Sequence, residues 1–270
     1  MEQREIDAIG MSLWKEELER RKDPAFAHDV KLNQAFFDEV NALKLTKPMV
    51  SGLGKGYCWH MQFSPKNFTA EDKAIVPIVL KYLDRFENKG LKNHYIRNCL
   101  AVKGFYDATE YLIAESKKHL PPNYDDMRLN ATMQTLMHIR DPRYIDEYIW
   151  FIQKENAVTQ SSYIVELLGL LRAKKAIPYI IELLDGEKVK NEGAHILLAE
   201  SAIIALGRFK DPQYIPLVEK FLKPEEIRWI KVKVDNPDTK EGKWELRYRT
   251  KEVYRDYTKA AEKAIKRMKG

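Results

Sequence analysis

Three times this chain sets a β-branched residue, a proline and an apolar residue in a row near the start of a helix-like apolar pattern. The triplets are Val76-Pro77-Ile78, Ile177-Pro178-Tyr179 and Ile215-Pro216-Leu217. The first two prolines lie 101 residues apart, close to three periods of about 34, and the last two lie 38 apart. Self-similarity at such a period marks stacked supersecondary units, each unable to bury its apolar face alone. The expected product is an extended surface that holds something.

The unit is clearest in the C-terminal half. Arg140-Asp141-Pro142-Arg143-Tyr144-Ile145 opens one copy, Arg172-Ala173-Lys174-Lys175-Ala176-Ile177 opens the next 32 residues later, and Lys210-Asp211-Pro212-Gln213-Tyr214-Ile215 a third 38 later. Asp107-Ala108-Thr109 is an earlier, weaker copy, 34 residues before Asp141. Asp141 and Asp211 can accept from the free N–H groups of a first helical turn. Pro142 and Pro212 then occupy the first helical position, where no N–H is needed. Pro178 and Pro216 lie about one turn further on, and are expected to remove a backbone bond and bend the helix. A second helix closes before each copy: Leu167-Leu168-Gly169-Leu170-Leu171, Ala205-Leu206-Gly207-Arg208-Phe209 and, with Met for Gly, Thr135-Leu136-Met137-His138-Ile139. Glycine there permits close helix–helix approach or a chain reversal.

These residues resemble the HEAT-repeat family, in particular its short bacterial HEAT-like repeats. The shared marks are D-P-x-[AY]-[IV]-P-x-[LIV] on the first helix and A-L-G-x-[LF] closing the second. The resemblance covers about 105–222 well and 69–104 less well. It implies an all-α fold: an α-solenoid of antiparallel helix pairs. Function follows from it poorly, because such repeats serve scaffolds, chaperone-like factors, chromophore lyases, toxin-neutralising proteins and a few DNA-repair enzymes.

The expected organisation is one continuous solenoid. Residues 1–68 form an N-terminal helical cap and loop, with helices over 2–21 and 29–43. Repeats fill 69–227, with Thr69 and Asp72 as a capping box and Gly90 ending the first helix. Helices pair as 107–119 with 124–139, 142–155 with 158–171, and 174–185 with 195–208. The last first helix, 212–222, meets an insert: Arg228–Val234 and Lys243–Arg249 alternate with period two around a polar turn, which predicts a β-hairpin over 228–249. Residues 250–270 then supply the missing capping helix, with Val253, Tyr257, Ala260, Ala264 and Ile265 inward.

Charge singles out that insert. The chain carries a net +6. Residues 228–270 hold 14 Lys/Arg and 7 Asp/Glu, whereas the other 227 hold 32 and 33. A basic, aromatic-bearing finger of Trp229, Lys231, Lys233, Trp244, Arg247 and Arg249 would suit phosphates or an acidic protein. An ordinary wet end to the solenoid would need the same polarity.

Other motifs lead away from chemistry. Gly52-Leu53-Gly54-Lys55-Gly56 lacks the spacing of a phosphate loop, and Tyr57, Trp59, His60 and Phe63 read as a cover for one end of the core. The six histidines are scattered without ligand spacing, so no metal and no cofactor is expected. Cys58 and Cys99 form no framework, which fits a reducing, cytoplasmic setting. No apolar stretch nears the ~18 residues that span a bilayer. Tyr144, Asp146, Glu147, Tyr148 and Trp150 offer the aromatics and carboxylate of a HEAT-like DNA glycosylase, but Tyr144, Ile145, Tyr148 and Ile149 fit a core stripe, and a phosphate-gripping body should be net basic.

The expected function is therefore a non-catalytic binding or scaffold module that holds a protein partner on its concave face, as a regulatory adaptor or toxin-neutralising protein does. Asn93, Arg97, Arg128, Gln134, Gln160, Glu166, Glu200 and Arg208, on the second helices, are the candidate contacts. The rival reading is nucleic-acid binding through the basic C-terminal hairpin and helix; a glycosylase or lyase activity ranks below it.

Overall fold

The computed structural model describes residues 24–45, 68–153, 155–184, 192–222, 230–235, 246–251 and 257–270. Helix α1 (Pro24–Ala42) precedes five pairs: α2 (Ile75–Leu83) with α3 (Lys89–Tyr95), α4 (Thr109–Lys118) with α5 (Asp126–Ile139), α6 (Ile145–Ile152) with α7 (Ser161–Leu170), α8 (Ile177–Glu182) with α9 (Glu192–Phe209), and α10 (Ile215–Glu219) with α11 (Thr258–Met268). Each pair packs internally, and the second helices also pack in chain order: α3 on α5, α5 on α7, α7 on α9, α9 on α11. The helix expected over 2–21 and the glycine-rich loop with Trp59 and His60 lie outside the described residues.

Every first helix begins in the same way. A 3-10 turn comes first: Ala70–Ala74, Tyr106–Ala108, Pro142–Tyr144, Lys174–Ala176 and Pro212–Tyr214. The α-helix then restarts. This corrects the expected role of the second prolines. Pro178 and Pro216 stand in the first turn of α8 and α10, not inside a helix. The 3-10 turn resets the register, so the prolines fall among N–H groups that have no intrahelical partner. The break in helix type is what recurs, with or without a second proline. Asp141 and Asp211 do cap these turns: each Oδ1 accepts from a backbone N–H two residues on, Arg143 at 3.0 Å and Gln213 at 3.1 Å.

The second helices end alike too. Arg140, Arg172 and Lys210 take φ between 50 and 59° and Gly104 takes 96°, and Lys44 just after α1 takes 50°. A left-handed residue reverses the chain by exposing the last carbonyls to a bond from beyond the helix; the Arg140 N–H donates to Leu136 O at 3.1 Å.

Gly90 does not end the first helix of the 69–104 unit. Helix α2 stops at Leu83, and Gly90 lies inside α3, whose N-cap Asn88 accepts from the Leu91 N–H at 2.9 Å. Asn88 is the stronger stop signal because a side-chain acceptor satisfies an orphan donor. At Thr69 the Asp72 carboxylate accepts both the backbone N–H (2.7 Å) and the hydroxyl (3.1 Å).

The core runs the length of the stack, from Phe36 and Phe37 in α1 to Ala264 and Met268 in α11. Its N-terminal end is aromatic: Phe36 meets Tyr95 edge-on at 4.6 Å, and Phe86 stacks on Tyr95 at 5.1 Å. Between α10 and α11, strands β1 (Ile230–Asp235) and β2 (Leu246–Lys251) pair antiparallel, Ile230 opposite Lys251 and Asp235 opposite Leu246. The second strand runs on to Lys251, past the expected end at 249, residues 243–245 lying outside the described residues, and α11 starts at Thr258 rather than at 250. In α11 the inward set is Ala261, Ala264, Ile265 and Met268 after Tyr257; Val253 lies outside the described residues.

Candidate functional site

The second helices of the described residues present one continuous row, packed one on the next in chain order. Helical phase decides what faces out. In α5, Leu129, Met133 and Leu136 turn to the core, which leaves Met127, Asn130 and Gln134 outward. In α7 the outward set is Ser162, Tyr163 and Glu166, and in α9 it is Leu197, Glu200, Ile204 and Arg208.

The expected contact residues divide. Glu200 is exposed; Arg97, Gln134, Glu166 and Arg208 are half-buried. Glu166 and Arg208 are joined: Arg208 Nη2 lies 3.0 Å from Glu166 Oε2, and its Nη1 donates to the Glu166 carbonyl at 2.9 Å. This pair bridges α9 to α7. Asn93, Arg128 and Gln160, by contrast, are buried and do not offer exposed contacts. Arg128 lies one turn before the buried Thr132, on the core stripe, and reaches back to α4. Its Nη1 stands 3.5 Å from Oε1 of the buried Glu115, which also faces Lys118 and His119. An arginine is tolerated there because a carboxylate shares its burial. Gln160 ends the loop before α7, where it accepts from the Tyr124 hydroxyl at 3.1 Å and donates to Asp126.

What sequence reasoning missed is apolar. Met127, Tyr124 and Leu197 are 62, 45 and 44% exposed. All three lie toward the N-terminal ends of second helices; a Tyr124–Gln160–Asp126 network and the Asn130–Tyr163 bond (3.4 Å) join α5 to α7 near Met127, whereas Leu197 stands on α9. The signal for Met127 was its phase, off the Leu129–Met133–Leu136 stripe.

Trp229 and Trp244 lie outside the described residues; the backbone sets Lys231 opposite Thr250, Lys233 opposite Tyr248, Val234 opposite Arg247 and Val232 opposite Arg249.

Cys99 is fully buried, and burial pushes its thiol well above the usual range, which keeps it an unreactive core group. Of Tyr144, Asp146, Glu147, Tyr148 and Trp150, the aromatic and carboxylate set weighed for base chemistry, Glu147 pairs with Lys117. Tyr148 is in the core, and Asp146 holds Lys175 at 2.5 Å. Among the described residues no group of three His, Cys, Asp or Glu could hold a metal ion, and no helix is long and apolar enough to cross a membrane.

Residues 198–223 match the family model described as the PBS lyase HEAT-like repeat. They span most of α9, the capped turn at Asp211 and all of α10. The chain thus carries a HEAT-like repeat over these residues, a helical unit suited to protein interaction. No curated protein and no solved structure gives a significant match.

Proposed function

We propose that this chain is a cytoplasmic, non-catalytic α-solenoid, with a β-hairpin inserted in its last repeat, that holds a protein partner on the concave face made by its second helices. The observation that carries the reading is the exposure of Met127, Tyr124 and Leu197 on that row. Exposed apolar side chains on second helices, with the bonded polar groups Asp126, Gln160, Asn130 and Tyr163 of α5 and α7 among them, have the make-up of an interface: apolar anchors with a polar rim. Glu200 and the Glu166–Arg208 pair supply polar selectivity further along. A regulatory adaptor or a toxin-neutralising protein would use the face in this way.

The test compares the tagged chain with its M127E/L197E variant in affinity purification from the native cell, with nuclease present. A protein that survives nuclease and is lost with the double variant supports the reading. The same protein recovered in equal amount by both forms would refute this face as the binding surface.

A further inference from the structure

The body of the chain is nearly neutral in sum but unequal in place. Antiparallel pairing with second helices side by side sends every turn from a second helix to the next first helix to one edge of the stack. Bonds between successive turns make that edge continuous. The Gly104 N–H donates to Ile139 O at 3.2 Å, Arg143 Nη2 to Tyr106 O at 3.3 Å, and Lys175 reaches Asp146 at the start of α6.

Cations collect there. Lys103, Arg172, Lys174 and Lys210 are exposed and form no ion pair among the described residues, and Arg140 is half-buried beside them. The carboxylates of the same turns are largely engaged. Asp141 is buried under Arg143, and Asp211 accepts from the backbone and side chain of Gln213. Asp107 is exposed there, with Glu110 one turn further along α4. The opposite edge has the reverse sign: among its described turn residues Asp84, Glu87, Asp125 and Glu155 outnumber Arg85.

Helix dipoles do not account for this. The cationic edge holds the C-terminal ends of second helices and the N-terminal ends of first helices, so the two preferences oppose each other. Backbone preference points away from it as well. Arg140, Arg172 and Lys210 stand in the left-handed region, where glycine or asparagine would be less strained. Such strain persists where a side chain is needed at that point.

The edge also lacks the mark of a protein interface. Large exposed apolar residues of α5 and α9 sit near the other ends of the second helices, whereas here the apolar residues Leu171, Ile177, Phe209 and Ile215 are only partly exposed, beside the tyrosines Tyr106, Tyr144 and Tyr214. A protein partner needs a buried apolar centre. A phosphate backbone needs cations along a line, with aromatic faces as an addition.

We propose that this edge, from Lys103 to Lys210, is a track for the phosphate backbone of a nucleic acid. It is separate from the second-helix face and from the C-terminal hairpin. The test is fluorescence anisotropy of the full chain with labelled random-sequence duplex DNA and the matching single strand, across a salt series. The K103Q/R172Q/K174Q/K210Q variant removes exposed groups only. It is expected to keep its unfolding midpoint, to weaken binding more than tenfold at low salt, and to lower the salt slope by roughly one for each lost phosphate contact. Unchanged affinity and slope would overturn the proposal. So would salt-insensitive binding, polyglutamate competing as well as DNA, or loss confined to changes at Lys231, Lys233, Arg247 and Arg249.

Discussion

A β-carbon placed on Gly207 would stand 2.6 Å from the Cα of Ala264, across 57 residues of sequence. Gly169 meets Ala205 in the same way, at 2.7 Å. The two contacts are one joint used twice: α9 seats on α7, and α11 seats on α9. The second joint shows that α11 fills the place of the missing second helix, with the strands inserted before it.

Gly169→Ala and Gly207→Ala should each force the helices apart, because the clash is with backbone and not with a movable side-chain end. Overpacking of this kind costs about 1–3 kcal/mol. Denaturant unfolding should show a lower midpoint for both, with Gly207→Ala loosening α11 first, visible as faster amide exchange over 258–268.

Asp141 is fully buried, and Arg143 grips it through Nε at 2.9 Å and Nη2 at 2.7 Å. Asp141→Ala removes a helix cap and strands the N–H of Arg143, at a cost of about 2 kcal/mol. Asp211→Ala, at a more exposed turn, should cost less. Thermal unfolding of the two variants side by side checks the order.

The same carboxylate makes stability fall in acid. Burial pushes the Asp141 carboxyl up, but the Arg143 side chain and backbone outweigh it and hold the group below its ordinary 3.8. A carboxyl lowered in the folded state contributes its stabilisation above the unfolded value and loses it as pH falls through the folded one. Wild type should therefore lose stability below about pH 4, and Asp141→Asn should flatten that limb in a pH series of unfolding midpoints.

Lys210 pays a conformational cost at φ 59°. Lys210→Gly should raise stability by up to about 1 kcal/mol, the relief of left-handed strain being offset in part by glycine's larger unfolded entropy. The same change should weaken DNA binding, so a melting curve and a binding curve should move in opposite senses.

Asp29 ties α1 to the stack. Its two carboxylate oxygens accept the N–H groups of Glu87 and Asn88, each at 2.8 Å, while it is 1% exposed. Asp29→Ala leaves both donors unmet in a buried turn and should cost about 2–3 kcal/mol. Protease cleavage between α1 and α2 should then become faster than in wild type.

The repeat itself was legible without coordinates. Asp-Pro at 141 and 211, the Leu-Gly and Ala-Leu-Gly closures and the apolar stripes are local chemistry, so the helix pairs and their order followed from them. The caps at Asp141 and Asp211 fell where the residue types placed them, since a cap involves neighbours two or three positions away. Local reading failed where a distant partner decides. Arg128, Gln160 and Asn93 looked like surface polar residues. Glu115 draws Arg128 inward, and the Asp126–Tyr124 pair draws Gln160, through bonds that span 13 to 36 residues. The clustering of cations along one edge was likewise invisible in a nearly neutral sum, because it depends on which turns the stacking brings together. Sequence determined the units, their caps and their period. The tertiary structure decided which polar groups face water and which edge carries the charge, because burial and proximity are properties of the packed stack and not of any one repeat.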